Sequence, residues 1–381
     1  MDRYVVVDPA SLRVRFSPDI FRSEAHGGVS RYIRELHRGL LDAGADSRIL
    51  AWLHRSDALR GQTEVIGLNV GSLRPHRARQ ALTKLTDGAL DMLWTEGQGP
   101  ETIYHKTYFD HRVPSGPTVA VTVYDMIHEL FPGEVGSTDR TPAWKRPWCE
   151  SADVVFAISE TTRDDMLDRY GLDPDRVVVT YLGVTPVDPR GAAPPLTAPF
   201  MLYVGNRRRP YKGWRRLVEC LPGLPDAPAL LCFGGGPPAA EEDALLRQLD
   251  LADRVRFASG DDRLLAACYE SAELLVYPSR YEGFGLPPLE AMAHGCPVVS
   301  GIGGSLREVL GDAAVLVDAT DTDALGAAVD LALRDRELRA NLSCRGRARA
   351  AELTWDKTVA ATIEGYGRAL DRAAGRRARS R

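Results

Sequence analysis

Residues 274–308 read LLVYPSRYEGFGLPPLEAMAHGCPVVSGIGGSLRE, and this order of residue types predicts a strand, a loop, a helix and a second strand. Leu274 to Tyr277 is a short apolar run closed by Pro278, the pattern of a parallel strand buried on both faces. Ser279 to Leu286 forms the loop. Pro287 and Pro288 lack only the N–H groups that a first helical turn leaves unused, so a helix starts there; Gly295 stops it and Pro297 to Ser300 resumes as a strand. Such units build doubly wound sheets, which bind ligands outside the carboxyl ends of their strands. A helix start favours an anion there, and Gly283 and Gly285 let the backbone approach it. Glu282 in the loop and Glu290 in the first helical turn then face one crevice, as acceptors suited to sugar hydroxyls. Taken alone, the pair has a plainer reading: Glu290 favours the helix dipole and Glu282 is solvated.

Two glutamates spaced in this way within YPSRYEGFGLPPLEAMAHGCPVVS resemble the signature of the retaining glycosyltransferases of family 4, which have the GT-B fold. The resemblance implies an α/β protein of two doubly wound, Rossmann-like domains facing a central cleft. It also implies transfer of a hexose from a nucleotide-diphosphate sugar, with GDP-mannose favoured by subgroup and a UDP-sugar close behind. Glu282 would orient the donor sugar and Glu290 the ribose, with Phe284, Gly285 and Leu286 completing the donor site. The acceptor would be a glycan, a lipid-linked sugar or a small metabolite.

Elsewhere in the chain a second loop matches. Phe200 to Val204 is a strand, and six of the ten residues from Arg207 to Arg216 are cationic. Cations beside a helix start, after a buried strand, are arranged to neutralise a diphosphate rather than to bind nucleic acid. In the resembled family an arginine and a lysine of this loop hold the diphosphate. Arg207 and Lys212 match best; Asn206 stands at the usual arginine position, and Arg208 and Arg209 are alternatives.

The first half follows the same alternation. Arg3 to Asp8 is a strand, and His26-Gly27-Gly28-Val29-Ser30 leads into a helix with Ile33, Leu36, Leu40 and Leu41 at helical spacing, closed by Gly44. A glycine-rich loop at this place in the resembled family lies against the donor, which marks Gly28. Strands at Arg48 to Leu53 and Glu64 to Leu68 precede a helix from Pro75 to Leu93. Arg74, His76, Arg77, Arg79 and Lys84 give it a basic face, read as solvated surface ahead of a contact with anionic lipid. Thr102 to Thr107 and Thr118 to Tyr124 are further strands, with His105, Asp125 and His128 at their carboxyl ends as acceptor-side candidates. HKTYFD and TVYDMIHELFP resemble a subgroup that includes bacterial mannosyltransferases, although Tyr124 replaces a histidine common there. Val154 to Ile158 and Arg176 to Leu182 complete this half, with a Ser159-capped helix between them.

These elements divide the chain into an N-terminal domain at 1–186, a proline-rich linker at 187–199, a second domain at 200–354 and a terminal helix at 355–381. The resemblance implies that the second domain binds the donor, that the first takes the acceptor, and that the terminal helix crosses back onto the first from Trp355. The tail after residue 372 reads as frayed. In the donor domain, Leu230 to Phe233 ends in three glycines, Val255 to Ala258 and Val315 to Val317 are strands, and Ser305 with Glu308 forms a capping box.

With 381 residues, 44% apolar and 26% charged, the chain is globular, and a net charge of −4 argues against nucleic acid as partner. Six cysteines without a C-x-x-C pair read as buried thiols of a reducing compartment. With no apolar run of spanning length, a cytoplasmic enzyme is expected, peripheral membrane contact staying open. Asp173/Asp175 and Asp321/Asp323 are Asp-x-Asp pairs, but they sit where aspartate caps turns and helices, so neither a metal nor another cofactor is expected. The alternatives are a nucleotide-sugar epimerase of the same fold and a non-catalytic nucleotide-sugar-binding partner protein.

Overall fold

The computed structural model describes residues 7–23, 27–54, 59, 64–69, 89–110, 112–136, 139–196 and 199–380. The chain divides into two compact units. Unit 1 takes the described residues of Met1–His128, Thr138–Leu182 and Trp355–Arg381, and unit 2 those of Glu129–Ser137 and Gly183–Thr354.

Unit 1 contains β1 (Arg13–Phe16), α1 (Asp19–Ser23), α2 (Gly28–Asp42), β2 (Asp46–His54), β3 (Val65–Asn69), α3 (residues 89–96), β4 (Thr102–Lys106), β5 (Thr118–Val123) and α4 (Ile127–Leu130). After α5 (Pro132–Val135), which belongs to unit 2, come α6 (Thr141–Ser151), β6 (Val154–Ala157), α7 (Glu160–Tyr170) and β7 (Val177–Val179). The strands pair in parallel in the order β3-β2-β1-β4-β5-β6-β7. TIYHK and TVAVTV in β4 and β5 are buried at every position, as a sheet covered on both faces requires.

Two readings of the sequence change here, and others fall outside the described residues. Among the described residues the first strand is β1; residues 3–6 of the strand read at Arg3 to Asp8 lie outside them, and the Asp8 carboxylate accepts from Ala10 N to start a 3-10 turn. His26 and residues 74–88 of the basic helix also lie outside them. The terminal helix α15 (Trp355–Ser380) continues through the tail read as frayed. Finally, a helix at Thr322–Arg334 was not foreseen. Helix α15 packs on α2, β5, β6 and β7 of unit 1. Glycine permits the approach, since a Cβ at Gly39 would lie 2.4 Å from Val359 and one at Gly365 equally close to Phe156.

Unit 2 contains β8 (Phe200–Val204), α8 (Trp214–Cys220), β9 (Ala229–Phe233), α9 (Ala240–Gln248), β10 (Val255–Ala258), α10 (Asp262–Ser271), β11 (Leu274–Tyr277) and α11 (Leu286–Ala293). It closes with β12 (Val298–Gly301), α12 (Leu306–Leu310), β13 (Val315–Val317), α13 (Thr322–Arg334) and α14 (Arg336–Glu352). Its strands are parallel in the order β10-β9-β8-β11-β12-β13, with Leu275 of β11 opposite Leu202 of β8. Met201, Tyr203, Trp214, Leu217, Leu230, Leu274 and Val299 form its core with the apolar faces of α8 and α13. The order reverses between β8 and β11, so the loops leaving these neighbouring strands diverge to opposite sides and open a crevice. These are the two loops that carry Lys212 and Glu282.

Candidate active site

The loop after β8 reaches the loop after β11 through backbone contact. Arg280 N donates to Tyr211 O at 2.8 Å, and a Cβ on Gly213 would lie 2.0 Å from the Pro278 carbonyl. Gly213 also has φ +71, so no other residue fits here without strain. This approach brings the Lys212 ammonium to Glu282: Nζ lies 2.7 Å from Oε1 and 2.9 Å from Oε2. Tyr277, last residue of β11, completes the group by donating to Glu282 Oε1 at 2.9 Å and accepting from Lys212 at 3.2 Å. The lysine side chain is 18% exposed and the glutamate 12%, so both are half sunk at the mouth of the sheet. Burial alone would lower the lysine pKa, but the Glu282 carboxylate, joined by the Tyr277 and Tyr211 hydroxyls, outweighs it and holds the ammonium well above its ordinary value. Burial and the same carboxylate push the Tyr277 phenol up, keeping it a neutral donor.

Glu282 is further fixed from behind. Its carbonyl accepts from Ser305 N at 3.0 Å and from Ser305 Oγ at 3.1 Å, and a Cβ on Gly304 would lie 2.3 Å from it. The Ser305 hydroxyl is therefore a brace for the glutamate loop and makes no side-chain cap on α12, which overturns the capping box. On the loop's other flank Arg280 pairs with Glu134 at 2.8 Å and lies over the Phe131 ring, both from the segment that unit 2 takes from the first half of the chain. Phe284 is buried, Gly285 has φ +95 and caps α11, and Leu286 starts that helix. Glu290, on α11, accepts from Tyr269 Oη at 3.2 Å.

Arg207 is not brought to this group. Its side chain is fully buried, its guanidinium donates to Gly234 O at 2.5 Å and Gly236 O at 2.8 Å, and Nε lies 3.3 Å from Glu242 Oε1. It stacks at 4.5 Å over Phe257 on β10. A guanidinium sealed in this way has no face left for a diphosphate, so the reading of Arg207 as a direct diphosphate ligand fails. The exposed neighbours Arg208 and Arg209 are the cations of this loop that reach solvent.

In unit 1 the acceptor-side candidates separate. His105 lies within β4, fully buried, with Nδ1 2.6 Å from Tyr366 Oη and Nε2 2.8 Å from Thr122 Oγ1. Burial lowers its pKa to about 3. It ties the terminal helix to the sheet, and its reading as an acceptor-side residue is overturned because both ring nitrogens are used inside the core. Asp125 and His128 instead line a pocket of about 420 Å³ together with Ile20, Tyr108, Tyr124 and Lys145. The Asp125 carboxylate accepts from Ile127 N at 3.1 Å, and His128 Nδ1 meets Asp139 Oδ2 at 2.7 Å. Hydrogen bonds from Thr141 and His128 hold Asp139 below the usual carboxylate range against the opposing effect of burial. Gly28 opens α2, next to the pocket-lining Val29.

Residues 186–349 match the family described as Glycosyl transferases group 1, and residues 26–187 match the Glycosyltransferase Family 4 family. The chain is 33% identical over 391 residues to a D-inositol 3-phosphate glycosyltransferase of Xylanimonas cellulosilytica, covering 91% of this chain and 93% of that one. The chain belongs to glycosyltransferase family 4. It is also 31% identical over 297 residues to the O-antigen chain mannosyltransferase B of Escherichia coli, covering 72% of this chain and 76% of the relative. Among solved structures it is similar to sucrose-phosphate synthase of Thermosynechococcus elongatus, with a TM-score of 0.71 at 22% identity over 91% of this chain and 96% of that one.

As a family 4 glycosyltransferase with the GT-B fold, the chain carries Lys212 and Glu282 on loops leaving two neighbouring strands of one sheet and Glu290 on the helix that follows the second loop. Several contributors escaped sequence reading. Tyr277 reads in the sequence as plain strand, and its place as the last residue before the loop is the signal that it meets Glu282. Asp139 and Lys145 carried none, since each meets the pocket only through tertiary packing. No helix among the described residues is long and apolar enough to cross a membrane.

Proposed function

We propose that this glycosyltransferase moves a hexose from a nucleotide-diphosphate sugar to a hydroxyl acceptor with retention of configuration and without a metal ion. The supporting observation is the Lys212–Glu282 pair at the point where the strand order of unit 2 reverses. A fixed ammonium there stabilises the charge that grows on the leaving diphosphate, electrostatic help that commonly dominates catalysis. Glu282, braced through its own carbonyl, accepts hydrogen bonds from the donor sugar, and Glu290 does the same for the ribose. The departing phosphate takes the proton of the attacking hydroxyl, so no protein base is required. Asp125 and His128 bind the acceptor, a glycan, a lipid-linked sugar or a small metabolite.

GDP-mannose is the favoured donor because a mannosyltransferase stands among the relatives. A thermal-shift screen with GDP, UDP, dTDP and ADP tests the reading. A nucleotide at about 100 times its Kd stabilises the fold by about 2.7 kcal/mol. GDP is expected to give the largest shift; none from any of the four would sink the proposal.

A further inference from the structure

The sealed Arg207 has a second consequence, which rests on the donor reading of unit 2. The Gly234 and Gly236 carbonyls both turn inward to its guanidinium. In a trans peptide the N–H points opposite the C=O, so the Gly235 N–H faces away from Arg207. Gly235 is exposed, and among the described residues neither its N–H nor that of Gly236 has a backbone acceptor, whereas Gly234 N is fixed to Ala258 O at 2.9 Å. Gly234, Gly235 and Gly236 have φ of +90, +75 and +72, and a Cβ at Gly235 would lie 3.0 Å from Arg207 Nη1. Glycine takes the left-handed region without strain but is conformationally free, so three in a row form a turn that keeps one course only where contacts fix it. The arginine holds it, and Glu242 holds the arginine while accepting from Ala239 N at 2.8 Å at the start of α9.

This loop leaves β9, the strand beside β8, on the same edge of the sheet as Lys212. We infer that Arg207 and Glu242 are positioning residues that hold the Gly234–Gly236 turn open as a subsite for the nucleoside end of the donor, recognised through the outward Gly235 N–H. No protein cation is presented by the turn itself, because its arginine is turned inward. The ligand edge it fits is therefore neutral and rich in acceptors, like a nucleobase or ribose, and not the diphosphate.

The test measures binding of a nucleoside, its monophosphate and its diphosphate, using guanosine and uridine series, to wild type and to three variants of the full chain. Arg207→Lys keeps a buried charge; Arg207→Met with Glu242→Gln removes the pair together and keeps the cap on α9, which avoids a stranded buried charge. Gly235→Ala strains the turn directly. Each is expected to weaken all three ligands of the bound series by the same factor, about tenfold. Donor hydrolysis at saturation should stay near wild type, with the change confined to KM, and melting should remain cooperative. Loss of diphosphate affinity alone would make Arg207 a phosphate ligand and overturn the inference. Unchanged affinity for every ligand in folded variants would make the pair merely structural and also overturn it. A wild type that binds none of the six ligands overturns the donor reading and this inference with it.

Discussion

Lys212 and Glu282, 70 residues apart, meet with both carboxylate oxygens within 2.9 Å of the ammonium. The contact depends on Gly213 lying against Pro278, so it is built into the two loops rather than made by side-chain reach alone. Without a donor, the pair neutralises two half-buried charges. On the proposed mechanism, a bound nucleotide-sugar would draw one lysine N–H to its phosphate while Glu282 accepts from the sugar hydroxyls. Lys212→Ala and Glu282→Ala should each lower transfer about 10²- to 10³-fold. Each single change also strands a partly buried partner, so the double variant should melt at a higher temperature than additivity of the singles gives. Turnover near wild type in either single variant would remove the pair from the mechanism.

Tyr277 offers a finer probe of the same group. Its hydroxyl donates to Glu282 and accepts from Lys212, while the ring is buried in unit 2. Tyr277→Phe removes one oxygen and keeps the packing. It leaves Glu282 with one fewer donor, so donor turnover should fall about tenfold with little change in melting temperature. A large loss of stability with unchanged turnover would assign the hydroxyl to the fold instead.

The parts legible in sequence were those with a local cause. The apolar runs of β8 and β11, the prolines at the start of α11 and the spacing of Glu282 and Glu290 each act within a few residues, and the fold follows from them. Lys212 was singled out because cations in a loop after a buried strand suit a diphosphate and because the resembled family places a lysine there; the structure sets it against Glu282. Arg207 misled for the same reason: composition shows a cationic loop but not which side chain turns inward, and that depends on Glu242, 35 residues away. His105 failed likewise, since its partners Tyr366 and Thr122 come from the terminal helix and a neighbouring strand. Ser305 was read through its neighbours in sequence and turned out to serve Glu282 across the sheet.

The Asp-x-Asp pairs bear on metal use. The Asp173 carboxylate accepts from Asp175 N, and the Asp321 carboxylate accepts from Asp323 N and Ala324 N at the start of α13, each at 3.0 Å. Carboxylates committed to caps are poor candidates for holding a divalent ion. Donor turnover is expected to be unchanged after EDTA treatment and not to rise on adding Mg²⁺ or Mn²⁺. Loss with EDTA, restored by either ion, would contradict the metal-free mechanism.

Acid should destabilise the fold through histidines far from the chemistry. Burial lowers His105 to about 3 and, partly offset by Glu64, His37 to about 4. Both stay neutral in the native state, whereas in the unfolded chain they take protons near pH 6.5. Their contribution is complete above that pH and is lost as pH falls toward the folded values. Asp91 acts in the opposite sense: burial raises it to about 6, so the native state keeps a proton that the unfolded chain releases above about pH 4. Between pH 4 and 6 the unfolded chain therefore gains two protons at the histidines against one held natively at Asp91. The balance favours unfolding by about 1.4 kcal/mol per pH unit of acidification. Melting temperature should fall across this window. In His105→Gln, which cannot take up a proton, the fall should largely vanish while the neutral-pH melting temperature drops from the lost Tyr366 contact. An undiminished acid slope in that variant would show that His105 is not held neutral in the core.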